Sequence, residues 1–475
     1  MPFISITFLL LALPAALLVY YLLAFSRELQ NLWLLLASLL FYAAGQGIYV
    51  LLLVALILLS WAAGLLIERA GPQGKRGILA AAVALVLLAL GVFKYLGFFE
   101  EIANMFAGSG VSFVRFPLPV GLSFYTLQGI GYCADVYRGD AKAARNPVYV
   151  GVHLAFFPKI IAGPLISYPA MAEQLRTRTF SLRHAASGIP RFVAGLAKHV
   201  LFANQFALIA NNVFNWSNMG RFQAEVPVTL AWTGLFAYAL QLYYTLSGTA
   251  DMAIGLAAMF GFALPENFDH PYTAASVTEF WRRWNVTLTA WFRRYLYRPI
   301  SGAGAENNDI AARNTLIVWA LIGLWHGKGW NALFFGAWFF VLLLAEYFFK
   351  GFRTERFAVL RRGYTLLAVL VGWVLLRTET LYAAGRFFMN LTGTNDNAFF
   401  SDVALVLLRE NGVWFLLGVL FCLPVRRWCE TFFQSRRGPL LSVARGVLES
   451  AFFTGVLVVT LIYMLQGDFN FSIFF

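Results

Sequence analysis

Hydrophobic residues fall along this chain in long unbroken blocks, not in the alternation of a half-buried strand. Residues 3–24 form the first block. From Leu29 to Ile67 no charged residue occurs, and the only interruption is Gly45-Gln46-Gly47. That pattern predicts a helical hairpin, two membrane-length helices joined by a tight turn. Residues 77–96 supply a fourth block and 118–134 a fifth. Further blocks lie near 190–212, 226–246, 315–326 (half length), 329–349, 360–377, 404–424 and 450–466. Segment 148–165 is apolar but short, and is broken by Pro158 and Gly163-Pro164. Irregular backbone at membrane depth is tolerated only inside protein or beside water, so a re-entrant element is expected there. The first block has no Lys or Arg before Arg27, so it lacks the basic region of a cleaved signal peptide and reads as a retained helix. No heptads, Pro-rich linker, low-complexity tract or soluble domain is evident.

Composition turns this pattern into a class. Of 475 residues, 60% are hydrophobic and 12% charged, with a mean hydropathy of +0.69. A soluble domain runs about 45–50% apolar and about 25% charged. Too few polar residues are present to coat a soluble surface. At roughly 20 apolar residues per crossing, the chain holds enough for about 14 helices, and 10–13 are expected once loops are allowed for. The expected fold is an all-α polytopic membrane protein. A soluble enzyme, a disordered chain and a secreted disulfide scaffold are excluded. Cys133, Cys422 and Cys429 form no C-x-x-C pair and no disulfide framework.

Net charge is +13. In a soluble chain that would raise nucleic acid as a partner. Here the positive-inside rule accounts for it, and no nucleic-acid partner is expected. The cations cluster at Lys75/Arg76, Lys142/Arg145, Arg176/Arg178/Arg183, Arg282/Arg283/Arg293/Arg294, Lys350/Arg353/Arg356 and Arg426/Arg427/Arg436/Arg437. With the N-terminus outside and 148–165 re-entrant, all six clusters fall on the cytoplasmic side. A plain crossing at 148–165 would split them.

The richest stretch chemically is 281–298, from Trp281 to Arg298. At about 100° per residue, Arg282, Arg283, Arg293 and Arg294 gather within an arc of about 120°. Trp281, Trp284, Leu288, Trp291, Phe292 and Tyr295 occupy the other side. One continuous interfacial helix is expected, aromatics toward acyl chains and guanidiniums toward headgroups or cytosol. Asn285 projects on its aromatic side, where an amide needs partners. His326, in Ile-Gly-Leu-Trp-His-Gly, is the second anchor, because histidine at membrane depth normally faces protein or a wet cavity. A satisfied core histidine is the commoner case, and a structural surface helix remains an alternative for 281–298. No metal site is expected, since no second His stands at i+3 or i+4 of His326. There is no G-x-S-x-G elbow, P-loop or GxGxxG turn. Ser123, Tyr125, Gln128, Tyr132 and Asp135, and Gln241, Tyr243, Tyr244, Ser247 and Asp251, are polar residues in apolar context that line a cavity or knit helices together.

Four strings, "PVGLSFYTLQGIGYCADVYRG", "FFPKIIAGPLISY", "SGTADMAIGLAAMFGFALPENFDHPYTAASVTEFWRRWNVTLTAWFRRYLY" and "LIGLWHGKGWNALFFGAW", resemble the membrane-bound O-acyltransferase (MBOAT) family. They look closest to its bacterial alginate O-acetylation branch. The match runs in order from about 119 to 340. The resemblance implies a single membrane domain over 1–475, with its motif-bearing core about 119–350 and roughly eleven helices plus re-entrant pieces around a tunnel. It places the family histidine on His326 and the second polar position on Asn285, where the bacterial branch usually has His. Arg294 stands where that branch has Asp in "R-D-Y-L-Y", and Thr245 replaces an Asp before Ser-Gly.

The implied activity is acyl transfer from a thioester, with His326 as base and Asn285 orienting the imidazole or donating to the oxyanion. Arg282 and Arg283, with Trp281 and Trp284 beside them, are the donor-binding candidates, since guanidinium suits an anionic donor such as acetyl-CoA. Headgroup contacts are the alternative role for these arginines. No permanently bound cofactor is expected. The expected partners are the bilayer, the acyl donor, a periplasmic acetyltransferase and an exported polysaccharide, at the bacterial inner membrane. A non-catalytic conduit in an acyl-transfer complex, and D-alanyl transfer to teichoic acid, are the alternatives.

Overall fold

The fold is described from a computed structural model, which covers residues 3–108, 110–114, 116–179, 181–218, 226–302, 308–327, 329–349, 357–425, 427–428, 431 and 439–466. Among the described residues the regular structure is helical throughout. A π-helical turn Phe8–Ala12 leads into α1 (Leu13–Leu22). The uncharged run forms the expected hairpin: α2 (Arg27–Gln46) and α3 (Val50–Arg69) meet at Gly47, whose φ of 56° needs a residue without Cβ. Pro72 opens α4 (Pro72–Leu90), which passes through a π-helical turn Gly91–Tyr95 into α5 (Leu96–Ala107). The fifth block is α6 (Leu122–Arg138).

Segment 148–165 does not cross. It folds as α7 (Pro147–Ala155) and α8 (Phe157–Ile160), broken at Phe156 (φ −47°, ψ 108°). Thirteen helical residues reach about 20 Å, short of a roughly 30 Å hydrocarbon core. Every residue from 150 to 166 is buried, so the irregular backbone is enclosed by protein. A short α9 (Tyr168–Thr177) follows. Next come α10 (Leu182–Ala197) and α11 (Asn204–Asn218), joined by a π-helical turn Lys198–Ala203.

The block expected at 226–246 is much longer. It is α12 (Val228–Met259), 32 residues and about 48 Å, buried without a break from 237 to 253. Gln241, Thr245, Ser247, Thr249 and Asp251 are tolerated along it because neighbouring helices sheathe it from lipid.

A larger departure falls at 281–298, where one interfacial helix was expected. The chain instead forms α13 (Val277–Arg283) and α14 (Val286–Phe292), interrupted at Trp284-Asn285, then a π-helical turn Arg293–Tyr297 and α15 (Arg298–Ser301). The remaining helices are α16 (Asn308–His326), α17 (Trp330–Phe348), α18 (Ala358–Arg377), α19 (Leu381–Thr392), α20 (Asp402–Cys422) and α21 (Pro439–Gln466). The half-length block 315–326 is thus a helix of 19 residues, and α19 was not expected.

Among the described residues, seven helical stretches are long and apolar enough to cross a membrane, and the first, Arg27–Arg69, is the α2–α3 hairpin. Phe8–Leu22 and Ile310–His326 are shorter apolar helices. The chain is a multi-pass membrane protein. Contacts tie several basic clusters to one end of the bundle. Arg145 pairs with Glu68 at 2.6 Å and Arg294 with Asp140 at 2.8 Å. Arg427 pairs with Asp269 at 2.9 Å, and the Asp269 N–H donates to the Arg283 carbonyl at 3.0 Å. Lys350, Arg353, Arg356, Arg426, Cys429, Arg436 and Arg437 lie outside the described residues.

Candidate active site

His326 ends α16. Its Nδ1 stands 2.8 Å from the Ile322 carbonyl, one turn back on the same helix. A carbonyl only accepts, so Nδ1 carries the proton and Nε2 keeps its lone pair. The ring is edge-on to Trp325 (4.9 Å) and beside Phe335 of α17 (5.3 Å). His153 and His199 are sealed, at 1% and 3% exposure, whereas His326 is half-buried.

Two features hold this helix end in place. A methyl group at Gly323 would collide with the Ala332 carbonyl, and one at Gly336 with the Trp319 carbonyl, so these glycines let α16 and α17 pack backbone to backbone. From the other side, Tyr95 donates to the Leu324 carbonyl at 2.5 Å, and buried Lys94 donates to the Trp325 carbonyl and lies 3.5 Å from Ser123 Oγ. The last carbonyls of a helix lack partners within it, and the Lys94–Tyr95 pair supplies them. Sequence reasoning placed Lys94 inside block 77–96 and passed over it. The available signal was a single cation among apolar residues.

Asn285 is the hinge between α13 and α14. Its φ of 44° lies in the left-handed region, which asparagine tolerates better than other side chains. It is 6% exposed, does not cap α14 with its side chain, and its Oδ1 has no hydrogen-bond partner. A left-handed backbone carrying an unsatisfied buried amide makes Asn285 a candidate ligand contact. The hinge is imposed by buried Asn267. Its carbonyl accepts from the Val286 N–H at 2.9 Å, and its Oδ1 from the Thr287 N–H and hydroxyl at 3.0 and 2.8 Å. Thr287 Oγ1 accepts in turn from the Leu165 N–H at 2.9 Å, which joins the hinge to the buried segment after α8. His270 in the same loop has Nδ1 3.0 Å from the Cys422 carbonyl, and burial pushes its imidazole below the ordinary value. Asn267 and Thr287 were missed from sequence, since nothing local marks an amide as a clamp.

The hinge turns the tryptophans inward. Trp281 packs on Trp319 (4.9 Å) and Phe339 (4.8 Å), and Trp284 on Trp373 (5.0 Å) and Phe268 (5.2 Å). Both rings belong to an aromatic core within the protein, which replaces the acyl-chain contact expected for them. Phe335 touches this core at Trp281 (6.1 Å) and His326 at 5.3 Å, so one ring links the histidine to α13. Arg283 is held by Glu279 at 2.5 Å and the Thr273 hydroxyl at 2.8 Å. Arg282 is exposed and makes no ion pair among the described residues. Arg294, at the departure from the family string, has one buried partner, Asp135 at 2.9 Å and 0% exposed, which also accepts from Tyr295 Oη at 2.9 Å and the Tyr168 N–H at 3.2 Å.

The two ends of α6 give the depth of the site. Ser123 stands by the His326 helix end and Asp135 by Arg294, about 18 Å apart along the axis. His326 therefore lies deep relative to the arginine-rich end. Among the described residues no group of three His, Cys, Asp or Glu is placed to hold a metal ion.

Residues 152–378 match the model of MBOAT, the membrane-bound O-acyltransferase family, a span that contains both Asn285 and His326. The chain is 38% identical over 398 residues to the probable alginate O-acetylase AlgI of Pseudomonas syringae pv. tomato, covering 82% of this chain and 74% of that one. It is 29% identical to the peptidoglycan O-acetyltransferase of Helicobacter pylori, over 88% of this chain and 85% of that one. To the teichoic acid D-alanyltransferase of Bacillus subtilis it is 22% identical over 53% and 65%. The resemblance read from the motifs between 119 and 340 is borne out: this chain belongs to the membrane-bound O-acyltransferase family and is an O-acyltransferase.

Proposed function

We propose that the chain takes an acetyl group from acetyl-CoA on the cytoplasmic side of a bacterial inner membrane. It then passes that group toward the periplasm, for O-acetylation of an exported polysaccharide such as alginate, through a periplasmic acetyltransferase partner. The observation that carries this reading is the tautomer of His326. Its Nδ1 proton is committed to Ile322, which leaves the Nε2 lone pair to take a proton from an acceptor hydroxyl in the transfer step. In the transfer step Nε2 takes the proton of an acceptor hydroxyl, and that oxygen attacks the thioester carbonyl. The tetrahedral intermediate then expels the thiolate, which recovers the proton from the imidazolium. Asn285 Nδ2, a donor that makes no hydrogen bond to another side chain or carbonyl among the described residues, donates to the developing oxyanion, while its orphaned Oδ1 accepts from the incoming substrate. Exposed Arg282 attracts the anionic donor, and the distance from the arginine-rich end to His326 is spanned by the donor's extended thioester arm. Acetyl is favoured over D-alanyl because identity to the acetylase relatives is higher and extends over more of the chain.

The deciding measurement is exported polysaccharide from a deletion strain, together with radiolabelled acetyl-CoA supplied to inside-out membrane vesicles. Loss of acetyl groups in the deletion strain, and vesicle-dependent release of free CoA, are expected. Polysaccharide that stays fully acetylated would overturn the reading.

The hinge offers a separate prediction. Asn285→Gly keeps a residue that accepts φ of 44°, so the fold persists while acetyl transfer falls about 10²–10³-fold. Asn285→Val, which resists positive φ, lowers the thermal midpoint of the purified chain as well. Equal activity of wild type and Asn285→Gly would remove Asn285 from the chemistry.

A further inference from the structure

Apart from the acyl-transfer site, a cavity of about 360 Å³ opens where α1 and α9 end and α2 begins, beside the C-terminal end of α12. Its polar lining is dominated by Arg27 and Arg178 and its walls by Tyr20, Tyr21 and Phe260. Arg178 is only 6% exposed. Its Nε donates to Tyr20 Oη at 2.9 Å and its Nη1 to the Leu175 and Gln174 carbonyls at 3.2 and 3.4 Å, while its Nη2 has no acceptor. The guanidinium stacks on Phe262, 4.5 Å from the ring centroid. Stacking uses the face of the group, so Nη2 in its plane stays available to a ligand. Arg27 donates through Nη1 to Gln30 Oε1 at 2.8 Å and through Nη2 to the Arg178 carbonyl.

Among the described residues neither arginine makes an ion pair. Glu28, next to Arg27, turns away to Tyr149 Oη (2.8 Å) and Asn146 (3.4 Å). A buried cation is normally paired, so two guanidiniums at one cavity without a carboxylate leave an anion's place open. The depth of the cavity indicates how that anion arrives. Arg27 begins the first membrane-length stretch, and Leu18, Leu22 and Phe25 beside it are 62%, 65% and 79% exposed. Acyl chains cover such residues, and guanidiniums at the adjoining helix ends, the start of α2 and the end of α9, meet phosphate at headgroup level.

We propose that this cavity binds a phosphate ester, held by the charges of Arg27 and Arg178 and by the unpartnered Nη2 of Arg178, with a phospholipid headgroup as its source. The donors left over, Nη2 of Arg178 and Nε of Arg27, together with two positive charges, suit phosphate oxygens. The exposed apolar flank supplies the acyl-chain surface that a soluble phosphate compound does not need.

The full-length chain, delipidated in detergent, tests this by native mass spectrometry with dioleoyl phosphatidylglycerol against dioleoylglycerol, which has the same chains and no phosphate. Wild type retains the phospholipid at least about tenfold more than dioleoylglycerol. Arg27→Gln, at the cavity mouth, cuts that retention about tenfold. Arg178→Lys keeps the charge but loses the Nη2 donor, and weakens retention in the same direction. Thermal unfolding of each variant reports folding independently of binding. Equal retention of the two lipids, or retention unchanged in a folded Arg27→Gln chain, overturns the lipid assignment. Thermal protection by inorganic phosphate or CoA that Arg27→Gln abolishes, without lipid preference, keeps the phosphate site and makes its source soluble. Absence of both effects overturns the site.

Discussion

Replacing His326 by alanine is expected to reduce acetyl release from acetyl-CoA by about 10²–10⁴-fold, the range a positioned general base contributes. The chain should stay folded. The imidazole donates to one carbonyl of its own helix and rests against two rings, and no other polar side chain of the described set depends on it. The end of α16 is held by other groups: Tyr95 and Lys94 on the Leu324 and Trp325 carbonyls, and the Gly323–Gly336 contact with α17. The measurement is free-thiol release by the purified chain in liposomes, with the thermal midpoint taken in parallel. His326→Gln is the control, because it keeps a polar group of similar length that cannot accept a proton at neutral pH. Activity within threefold of wild type in a folded His326→Ala chain would remove the base from the mechanism.

Arg294→Ala is expected to destabilise the fold more than any other change to a surface-reaching cation. Its partner Asp135 is fully buried, and without Arg294 the carboxylate keeps only the Tyr295 hydroxyl and the Tyr168 N–H as donors. Breaking a buried pair from one side costs about 3–5 kcal/mol. The Arg294 side chain is 35% exposed, so solvent screening lowers that to roughly 2–3 kcal/mol. A second substitution decides the cause. Asp135→Asn in the Arg294→Ala background removes the stranded charge and should recover most of the loss in thermal midpoint. If the double variant is no more stable than the single one, the loss comes from packing of the arginine stem.

This pair also explains how Arg294 fits where the family string has an acid: the local charge is balanced by Asp135 and Asp140, far away in sequence. Other parts of the molecule divide along similar lines. The α2–α3 hairpin was legible because an uncharged run with one Gly-Gln-Gly break specifies two helices and a turn without outside help. The failure of 148–165 to cross was legible too, since Pro158 and Gly163-Pro164 limit helix length locally. The break at Trp284-Asn285 was not. No glycine or proline marks it, and the helical spacing of arginines and tryptophans across 281–298 argues for continuity. What breaks the helix is Asn267, brought from another loop to take the Val286 and Thr287 N–H groups. The extent of α12 was hidden for a related reason. Its polar residues lower hydropathy after 240, and only enclosure by other helices makes them acceptable.

By itself the sequence determined the membrane class, most of the helices, the family and the identity of His326 and Asn285 as candidates, because hydropathy and motif order are local properties. Only the tertiary structure decided that His326 presents Nε2, that Lys94 and Tyr95 hold its helix end, that Trp281 and Trp284 face the core, and that Arg27 and Arg178 share a cavity. Each of those rests on a hydrogen bond, ring contact or packing contact that depends on how the chain folds in space, and spacing along the chain does not encode it.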